Sequence, residues 1–305
     1  MRPSSTPRRL RHAPARGRGA RGLLAATCLA LAGCATPTTP TPCDEAASQC
    51  GQLGPVVDPS WLDAALQRGE DIQVIDVRAP EEFAAGHIPG ALSLDVEALR
   101  ATIAGVEGQV AAPATIEALM RAAGVRNDAR LIVLAAEVSP EPARVVWTLQ
   151  YLGHPQAHLL QGGFAAWTGA RAAGPAAPGE GDFVASAPLE PVSVDANWIL
   201  AHLDDPPVAL VDARSADEFS AGHIPGALHV DWHDNVEDGA LRPDDELATL
   251  YADLRDTPTI VAYCKSGMRA SLTYVILRAL GFTDVRLYDG SWNEWGARPD
   301  LPQEP

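Results

Sequence analysis

Beyond its first 21 residues the sequence is short of positive charge. Seven of its 23 basic residues lie in those 21 positions, which leaves 16 basic residues against 39 acidic ones in the remainder. Because so acidic a chain repels phosphate backbones, this balance argues against a nucleic-acid partner. A small anionic ligand would need a locally cationic pocket.

Near its amino terminus the chain has no apolar run long enough to cross a bilayer. The run at residues 22–32 has eleven residues, whereas a membrane-spanning helix needs about 20. The overall composition, 47% hydrophobic and 20% charged, is that of a globular protein and excludes a wholly disordered or collagen-like chain. A length of 305 residues predicts two domains.

The arginine-rich start and the apolar run that follows it are typical of an export signal. The run ends in Leu31-Ala32-Gly33-Cys34, which resembles the lipobox of bacterial lipoproteins, where the peptide is cut before the cysteine and the thiol is lipidated. A conventional signal cut at nearby small residues is the alternative. Both interpretations predict export, and the first predicts a lipid anchor on the extracytoplasmic side, in the periplasm and outer membrane or at the cell surface.

Export to an oxidising compartment makes disulfide pairing the default for the five cysteines. Cys28 is removed with the signal, and Cys34 carries the lipid. Cys43 and Cys50 are separated by six residues in a polar segment, which predicts a local disulfide. Cys264 is left over, and an unpaired thiol in an exported protein is either buried and inert or exposed and reactive.

An internal repeat organises the rest of the chain. Residues 74–95 match residues 210–231 at a constant offset of 136, with thirteen of 22 positions identical. Residues 132–167 align without gaps on residues 260–295 at an offset of 128. The repeat predicts two duplicated domains.

Each half alternates short apolar runs with helical patterns. Strands are expected at residues 73–77, 131–134, 208–211 and 259–263. Residues 271–280 have the spacing of a helix ended by Gly281. Such alternation predicts an α/β fold in which each domain is a parallel sheet flanked by helices.

In the second half, a predicted strand runs through a short loop into a predicted helix. That loop, Cys264 to Arg269, reads Cys-Lys-Ser-Gly-Met-Arg and contains the only lysine of the chain. A strand, loop and helix of this kind gathers backbone N–H groups around an anion. Those amides, with Lys265 and Arg269, favour the thiolate of Cys264 and make it a candidate nucleophile.

Several motifs in order resemble the rhodanese (sulfurtransferase) family in its tandem two-domain form. They are Asp212-Ala213-Arg214, residues 222–227, residues 264–269 and residues 288–296. In that family a loop cysteine accepts a sulfane sulfur as a persulfide and passes it to cyanide or to a thiol. The resemblance implies that Cys264 is the nucleophile and that Arg214 helps to bind the anionic donor. It also implies a role for the rest of the loop in stabilising the persulfide and the substrate: Lys265, Ser266, Gly267, Met268 and Arg269.

The cationic loop favours thiosulfate, a small dianion, over mercaptopyruvate, because mercaptopyruvate sulfurtransferases tend to have a neutral loop. The resemblance calls for no cofactor beyond the covalent persulfide on Cys264, and no metal site is expected. Alternatives are a 3-mercaptopyruvate sulfurtransferase, a non-catalytic extracytoplasmic binding or sensor module, and an enzyme that handles persulfides of another protein. Cysteine-dependent phosphatases and arsenate reductases have a longer loop, which fits this sequence less well.

The first half lacks every chemical feature of this loop. The gapless alignment places Ala136 opposite Cys264, and the carboxylates Glu137 and Glu141 opposite the two cations. We therefore expect the first domain to be non-catalytic and to cover the active-site face of the second.

The sequence thus predicts five segments: a signal peptide at 1–33, a tether with the disulfide at 34–55, an inactive rhodanese-like domain at 56–170, a linker at 171–192 and a catalytic rhodanese domain at 193–305. The expected partners are a small anionic sulfur donor and a thiol or cyanide acceptor, with membrane contact through the lipid anchor only.

Overall fold

The computed structural model describes residues 53–177, 179–186, 192–205 and 207–305. The predicted signal peptide, the predicted lipidation site at Cys34 and the predicted Cys43–Cys50 disulfide lie outside these residues. Both repeat halves belong to one compact unit. Among the described residues, no helix combines the length and the apolar character needed to span a membrane.

The first domain contains seven strands and four helices within the described residues. The strands are β1 (Val56–Val57), β2 (Ile72–Asp76), β3 (Leu92–Ser93), β4 (Arg100–Ile103), β5 (Val106–Val110), β6 (Arg130–Leu134) and β7 (Ala157–Leu160). The helices are α1 (Pro59–Gln67), α2 (Pro80–Ala85), α3 (Pro113–Ala123) and α4 (Pro140–Tyr151), with a 3-10 turn at Val96–Leu99.

The second domain repeats this order. Its strands are β8 (Ser193–Val194), β9 (Val208–Asp212), β10 (Leu228–His229), β11 (Val236–Glu237), β12 (Ala240–Leu241), β13 (Thr259–Tyr263) and β14 (Asp284–Tyr288). Its helices are α5 (Ala196–His202), α6 (Ala216–Ser220), α7 (Asp244–Leu250), α8 (Met268–Ala279) and α9 (Ser291–Trp295), with 3-10 turns at Trp232–Asn235 and Ala252–Leu254.

Each domain is built on a five-stranded parallel sheet, which confirms the predicted α/β fold. The order is β1-β7-β6-β2-β3 in the first domain and β8-β14-β13-β9-β10 in the second. The central strands β6 and β13 are buried along most of their length because helices cover both sheet faces. All four expected strands are present, each shifted by at most one residue at either end.

The helix predicted at residues 271–280 begins three residues earlier, at Met268, and ends at Ala279. Gly281 then adopts a φ of +93°, the left-handed conformation that ends helices at glycine. The early start matters, because it places the first turn of α8 directly against the loop that follows β13.

The segment predicted as a linker is not free of the first domain. Phe183 is fully buried, and its carbonyl oxygen accepts a hydrogen bond from Arg121 Nε at 2.7 Å. The Asp182 and Phe183 amides both donate to the Val125 carbonyl oxygen. The low apolar content of this segment gave no sign that it packs on the first domain, where the Phe183 side chain anchors it.

The two domains face each other through helices α4 and α8. Tyr274 on α8 donates its hydroxyl hydrogen to Gln150 on α4, at 2.9 Å. Arg144 of α4 is fully buried and pairs with Asp289, just after β14, at 2.7 Å. The other carboxylate oxygen of Asp289 accepts the Val110 N–H at 2.7 Å. A buried ion pair therefore joins the first domain to the second.

The interface is reciprocal, since each domain lays a hairpin against the loop of the other. The β4–β5 hairpin of the first domain places Gly108 against Ser266, and the β11–β12 hairpin of the second places Gly239 against Glu137. Both glycines have positive φ, +85° and +77°. This arrangement agrees with the expectation that the first domain covers the predicted catalytic loop.

The buried pair yields a stability prediction. Arg144→Met leaves Asp289 without its countercharge, so it is expected to lower the free energy of unfolding by about 3 kcal/mol in urea titrations. Adding Asp289→Asn, which removes the orphaned charge but keeps an acceptor for the Val110 amide, should restore part of the loss. Arg68→Met breaks an exposed pair with Glu70 and is the control, with an expected change within about 0.5 kcal/mol. Equal effects in Arg144→Met and the control would contradict this account.

Candidate active site

The predicted catalytic loop, Cys264 to Arg269, follows the carboxyl end of the central strand β13 and runs into α8. Gly267 precedes the helix with a φ of +75°. A Cβ at this position would lie 2.7 Å from Arg144 Nη1 and 2.8 Å from Asp289 Oδ1. The conformation and the close approach of the interdomain ion pair both require glycine here.

The hydroxyl of Ser291 fixes the curvature of the loop. Its oxygen accepts the N–H groups of Cys264, at 3.2 Å, and Gly267, at 3.0 Å, and its hydrogen goes to the Tyr288 carbonyl oxygen at 2.7 Å. Ser291 is fully buried and has a φ of +50°. The repeat partner of Ser291, at the offset of 128, is Gly163, with a φ of +58°. A serine occupies this left-handed position only in the second domain, where its hydroxyl is needed.

These hydrogen bonds, the Ser291 clamp, use two of the six backbone N–H groups of the loop that the sequence predicted to bind an anion. The Cys264 and Gly267 N–H groups are used by Ser291 and do not contribute to a cradle. Among the described hydrogen bonds, the backbone N–H groups of Lys265, Ser266, Met268 and Arg269 have no acceptor. The loop therefore offers four backbone N–H groups, which suit a small anionic group.

The side chain of Cys264 lies at the base of this loop and is fully buried. Burial alone is compatible with the inert alternative for an unpaired thiol. The surroundings, however, are cationic, because Arg269 lies near Cys264. The sulfur of Cys264 contributes to raising the pKa of the Arg269 guanidinium. A donor can reach the sulfur only when the atoms that cover it move.

Arg269 is held by a carboxylate that the sequence analysis overlooked. Its Nη1 and Nη2 atoms donate to the two Glu218 oxygens at 2.6 and 2.9 Å. The Arg269 guanidinium lowers the pKa of Glu218 to about 2. In turn the Glu218 carboxylate, helped by the Cys264 sulfur, raises the pKa of Arg269. Arg269 therefore stays charged near the sulfur, and the Glu218 carboxylate offsets part of its charge.

Lys265 contrasts with Arg269 in its exposure. Its side chain is exposed, and within the described ranges no carboxylate forms an ion pair with it. Its carbonyl oxygen accepts a hydrogen bond from the backbone N–H of Asn293 at 2.9 Å, which orients the loop at this residue. Lys265 is thus an unneutralised cation at the mouth of the loop. Met268, half-buried, begins α8.

Arg214, predicted to bind the donor, does not lie open to a ligand. Its guanidinium is 2% exposed, donates to both Asp212 oxygens and to the Gly222 carbonyl oxygen, and stacks 4.4 Å from the Trp292 ring. Arg78 makes the same contacts in the first domain, with Asp76, the Gly86 carbonyl oxygen and the Phe164 ring. Since the domain without a cysteine has the same arrangement, we assign Arg214 a structural role.

The histidines of the two repeated turns, His87 and His223, also have structural contacts. His87 and His223 stack on Phe83 and Phe219, with ring centroids 3.9 and 3.7 Å apart. Each directs Nδ1 to the carbonyl oxygen of the same phenylalanine. These rings brace the turns that follow α2 and α6.

Similarity to known proteins identifies the family of this chain. The model of the rhodanese-like domain matches residues 58–170 and 195–298. This chain belongs to the rhodanese-like domain family. It carries the domain twice, as the internal repeat predicted.

Relatives of this tandem rhodanese chain include two kinds of sulfurtransferase. A 3-mercaptopyruvate sulfurtransferase of Escherichia coli K12 is 34% identical over 276 residues, covering 82% of this chain and 97% of the relative. A thiosulfate sulfurtransferase of Pseudomonas aeruginosa is 32% identical over 263 residues, covering 82% and 96%. A crystal structure of an Escherichia coli 3-mercaptopyruvate sulfotransferase superposes with a TM-score of 0.70 at 31% identity, covering 79% of this chain and 99% of that one.

A cleft within the described residues of this rhodanese pair lies away from the loop. It measures about 760 Å³ and lies between the domains, with Val110, Trp198 and Tyr288 among its lining residues. None of the six loop residues lines it. This cleft therefore does not mark the loop, and the chemistry of Cys264 and its neighbours is the reason to consider the loop as a donor site.

Several residues at the site escaped sequence reasoning. Glu218 had a signal, because Ser215 and Glu218 have the spacing of a capping box, which the structure contains. Ser291 and Asp289 lie within a motif that was noted without roles for them. Arg100 and Arg144 gave no signal, since they belong to the other domain and reach the loop only through the interface.

The ion pair of Glu218 and Arg269 predicts a pH dependence of stability. The pKa of Glu218 falls from 4.5 to about 2 on folding, so the pair stabilises the protein fully above about pH 4.5 and loses this contribution as the pH falls towards 2. The difference in unfolding free energy between wild type and Glu218→Gln should therefore be constant above pH 5 and narrow below it. A difference that does not change between pH 5 and pH 2.5 would contradict the assignment.

The Ser291 clamp predicts that the Ser291 hydroxyl affects the free energy of unfolding more than the strain of its left-handed backbone does. Ser291→Ala and Ser291→Gly both orphan two buried N–H groups, and each should lower the free energy of unfolding by about 2 kcal/mol, with glycine the milder of the two. Ser60→Ala removes an exposed hydroxyl and serves as the control. If Ser291→Gly were as stable as the wild type, the loop would not depend on the hydroxyl.

Proposed function

We propose that this protein is a thiosulfate sulfurtransferase in which Cys264 carries the transferred sulfur. The Cys264 thiolate attacks the outer sulfur of thiosulfate and forms a new S–S bond. The bond between the two thiosulfate sulfurs breaks, and sulfite leaves with the electron pair. The enzyme is left with an anionic persulfide on Cys264.

In the second step an acceptor takes the outer sulfur. Cyanide attacks it, the S–S bond to Cys264 breaks, thiocyanate leaves, and the electron pair returns to Cys264 as thiolate. A thiol acceptor follows the same course and becomes a persulfide. Neither step needs an added oxidant or reductant. The electron pair of the broken S–S bond leaves with sulfite in the first step and returns to Cys264 in the second.

The position of Arg269 near the buried Cys264, in the loop that joins β13 to the first turn of α8, carries this proposal. The thiolate and the persulfide are both anions in a buried site, and an unpaired buried anion is costly. Arg269 lies beside the sulfur, and the free loop amides add donors of fixed orientation. The first domain offers none of this, since Ala136 and Glu137 replace the nucleophile and the adjacent cation.

The preference for thiosulfate rests on Lys265. Thiosulfate brings two negative charges and mercaptopyruvate one, so an unneutralised cation at the loop mouth favours thiosulfate. The opposing observation is that Glu218 offsets the charge of Arg269, which leaves mercaptopyruvate as the second candidate. The relatives do not separate the two donors.

We also propose that the enzyme works outside the cytoplasm, tethered by a lipid on Cys34, with Cys43 and Cys50 joined in a disulfide. This rests on the sequence of the first 50 residues. Radiolabelled palmitate should be incorporated into the wild-type chain and not into Cys34→Ser when each is expressed in a bacterial host.

The activity has a direct test. The purified exported chain should form thiocyanate from thiosulfate and cyanide, and Cys264→Ser should lose this activity completely, because no other group in the site can carry the sulfur. Ser139→Ala, in the equivalent loop of the first domain, is the control and should retain activity. Absence of turnover with both thiosulfate and mercaptopyruvate, with Cys264 reduced, would sink the enzyme assignment in favour of a binding module.

Donor preference gives a further prediction. Lys265→Met should raise the KM for thiosulfate by about tenfold and that for mercaptopyruvate less, because the dianion loses more attraction. Glu137→Met, at the matching position of the first domain, should leave both unchanged. Equal effects of Lys265→Met on the two donors would remove the basis for a thiosulfate preference.

A further inference from the structure

The first domain sends an arginine into the catalytic loop of the second. Arg100 begins β4, and its Nη2 donates to Ser266 Oγ at 3.0 Å across the interface. Ser266 lies two residues after Cys264 in the same loop. Among the described residues, this hydrogen bond joins a side chain of the first domain directly to a side chain of the loop.

Arg100 is held in one geometry by its own domain. Its Nη1 donates to both oxygens of Glu97 at 2.8 Å, and its Nε donates to the Gly108 carbonyl oxygen at 3.3 Å. Its side chain is 18% exposed. With all three nitrogens engaged, the guanidinium is oriented before any donor arrives, and no edge of it is left to bind one.

Gly108 makes the contact possible. A side chain at this position would strike the Arg100 guanidinium and come within 2.8 Å of Ser266 Cβ. The φ of +85° also suits glycine. The hairpin is therefore shaped to bring Arg100 onto Ser266.

The repeat provides an internal comparison. The β11–β12 hairpin of the second domain packs on the loop of the first in the same way, with the Gly239 carbonyl oxygen accepting the Val138 N–H at 2.8 Å. At the offset of 136 that relates β4 to β11, Arg100 corresponds to Val236. The hairpin that faces the loop with a nucleophile thus carries a cation, and the hairpin that faces the loop without one carries an apolar residue.

The hydrogen bond from Arg100 determines whether the Ser266 hydroxyl accepts or donates towards its other neighbours. Because a guanidinium has no acceptor, Arg100 must donate, and the single hydroxyl hydrogen of Ser266 is left to donate elsewhere. A hydroxyl that accepts from a cation is polarised into a stronger donor. We propose that Arg100 is a positioning residue which orients the Ser266 hydroxyl as a donor to the anionic sulfur species on Cys264. This role rests on the proposed sulfur transfer.

The proposal is tested by a double-mutant cycle on the full exported chain. Ser266→Ala and Arg100→Met should each lower kcat for thiocyanate formation on the order of tenfold, with a smaller change in KM. The double variant should be no slower than Ser266→Ala alone, because Arg100 acts through that hydroxyl. Arg100→Lys, which keeps the charge and one donor, should recover part of the rate.

Arg242→Met is the matched control. Arg242 lies just after the hairpin of the second domain and pairs with Glu237 and Glu246, so its loss should not affect kcat. Thermal unfolding of each variant separates loss of rate from loss of fold. Additive losses in the double variant, or a change confined to KM, would overturn the proposal and make Arg100 an independent donor-binding group.

A second readout keeps this proposal distinct from the proposed function. The rate of iodoacetamide alkylation at Cys264, followed by peptide mass spectrometry, needs no sulfur donor. It should fall several-fold in Arg100→Met and in Ser266→Ala, without a further fall in the double variant. If the wild type transfers no sulfur but the alkylation cycle is non-additive, the positioning role survives and the activity assignment fails. Unchanged alkylation in Arg100→Met would overturn the positioning role.

Discussion

The site depends on one buried hydroxyl, that of Ser291. It accepts the Cys264 and Gly267 N–H groups and anchors them to the Tyr288 carbonyl oxygen, so it sets where the loop curls and which amides remain available. A non-glycine residue in a left-handed conformation costs on the order of 1 kcal/mol. The repeat avoids that cost with Gly163 in the first domain. The second domain keeps the serine, whose three hydrogen bonds offset the strain.

Duplication has been followed by a division of tasks. The sheet, the braced histidine turns and the buried Asp–Arg pairs are the same in both domains, because they maintain the fold. The differences are concentrated where a hairpin of one domain meets the loop of the other. The contact of the β4–β5 hairpin with the loop that contains Cys264 involves charged residues: Arg100, Arg144 and Asp289. The contact of the β11–β12 hairpin with the first domain includes neutral hydrogen bonds, such as those between Gln161 and Leu241. The first domain is therefore part of the site although it lacks a nucleophile.

The sequence predicted the two-domain α/β fold because duplication and strand-length apolar runs are local and repeated signals. It also identified the loop, since Cys264, Gly267 and Arg269 are adjacent in the chain. It gave no indication that Arg214 is buried and bound to Asp212 and Gly222, because a motif gives no measure of burial. It overlooked Glu218 as the partner of Arg269 and Arg100 as the partner of Ser266. Those pairings join residues 51 and 166 positions apart and arise only from tertiary packing.

The central claim is that sulfur resides on Cys264 between donor and acceptor. The most direct measurement is peptide mass spectrometry of the full chain after incubation with thiosulfate alone and then after addition of cyanide. The account predicts that the Cys264 peptide gains the mass of one sulfur atom with thiosulfate and loses it with cyanide, while the peptides containing the other cysteines stay unchanged. A Cys264 peptide that remains unmodified while thiocyanate is formed would contradict the account.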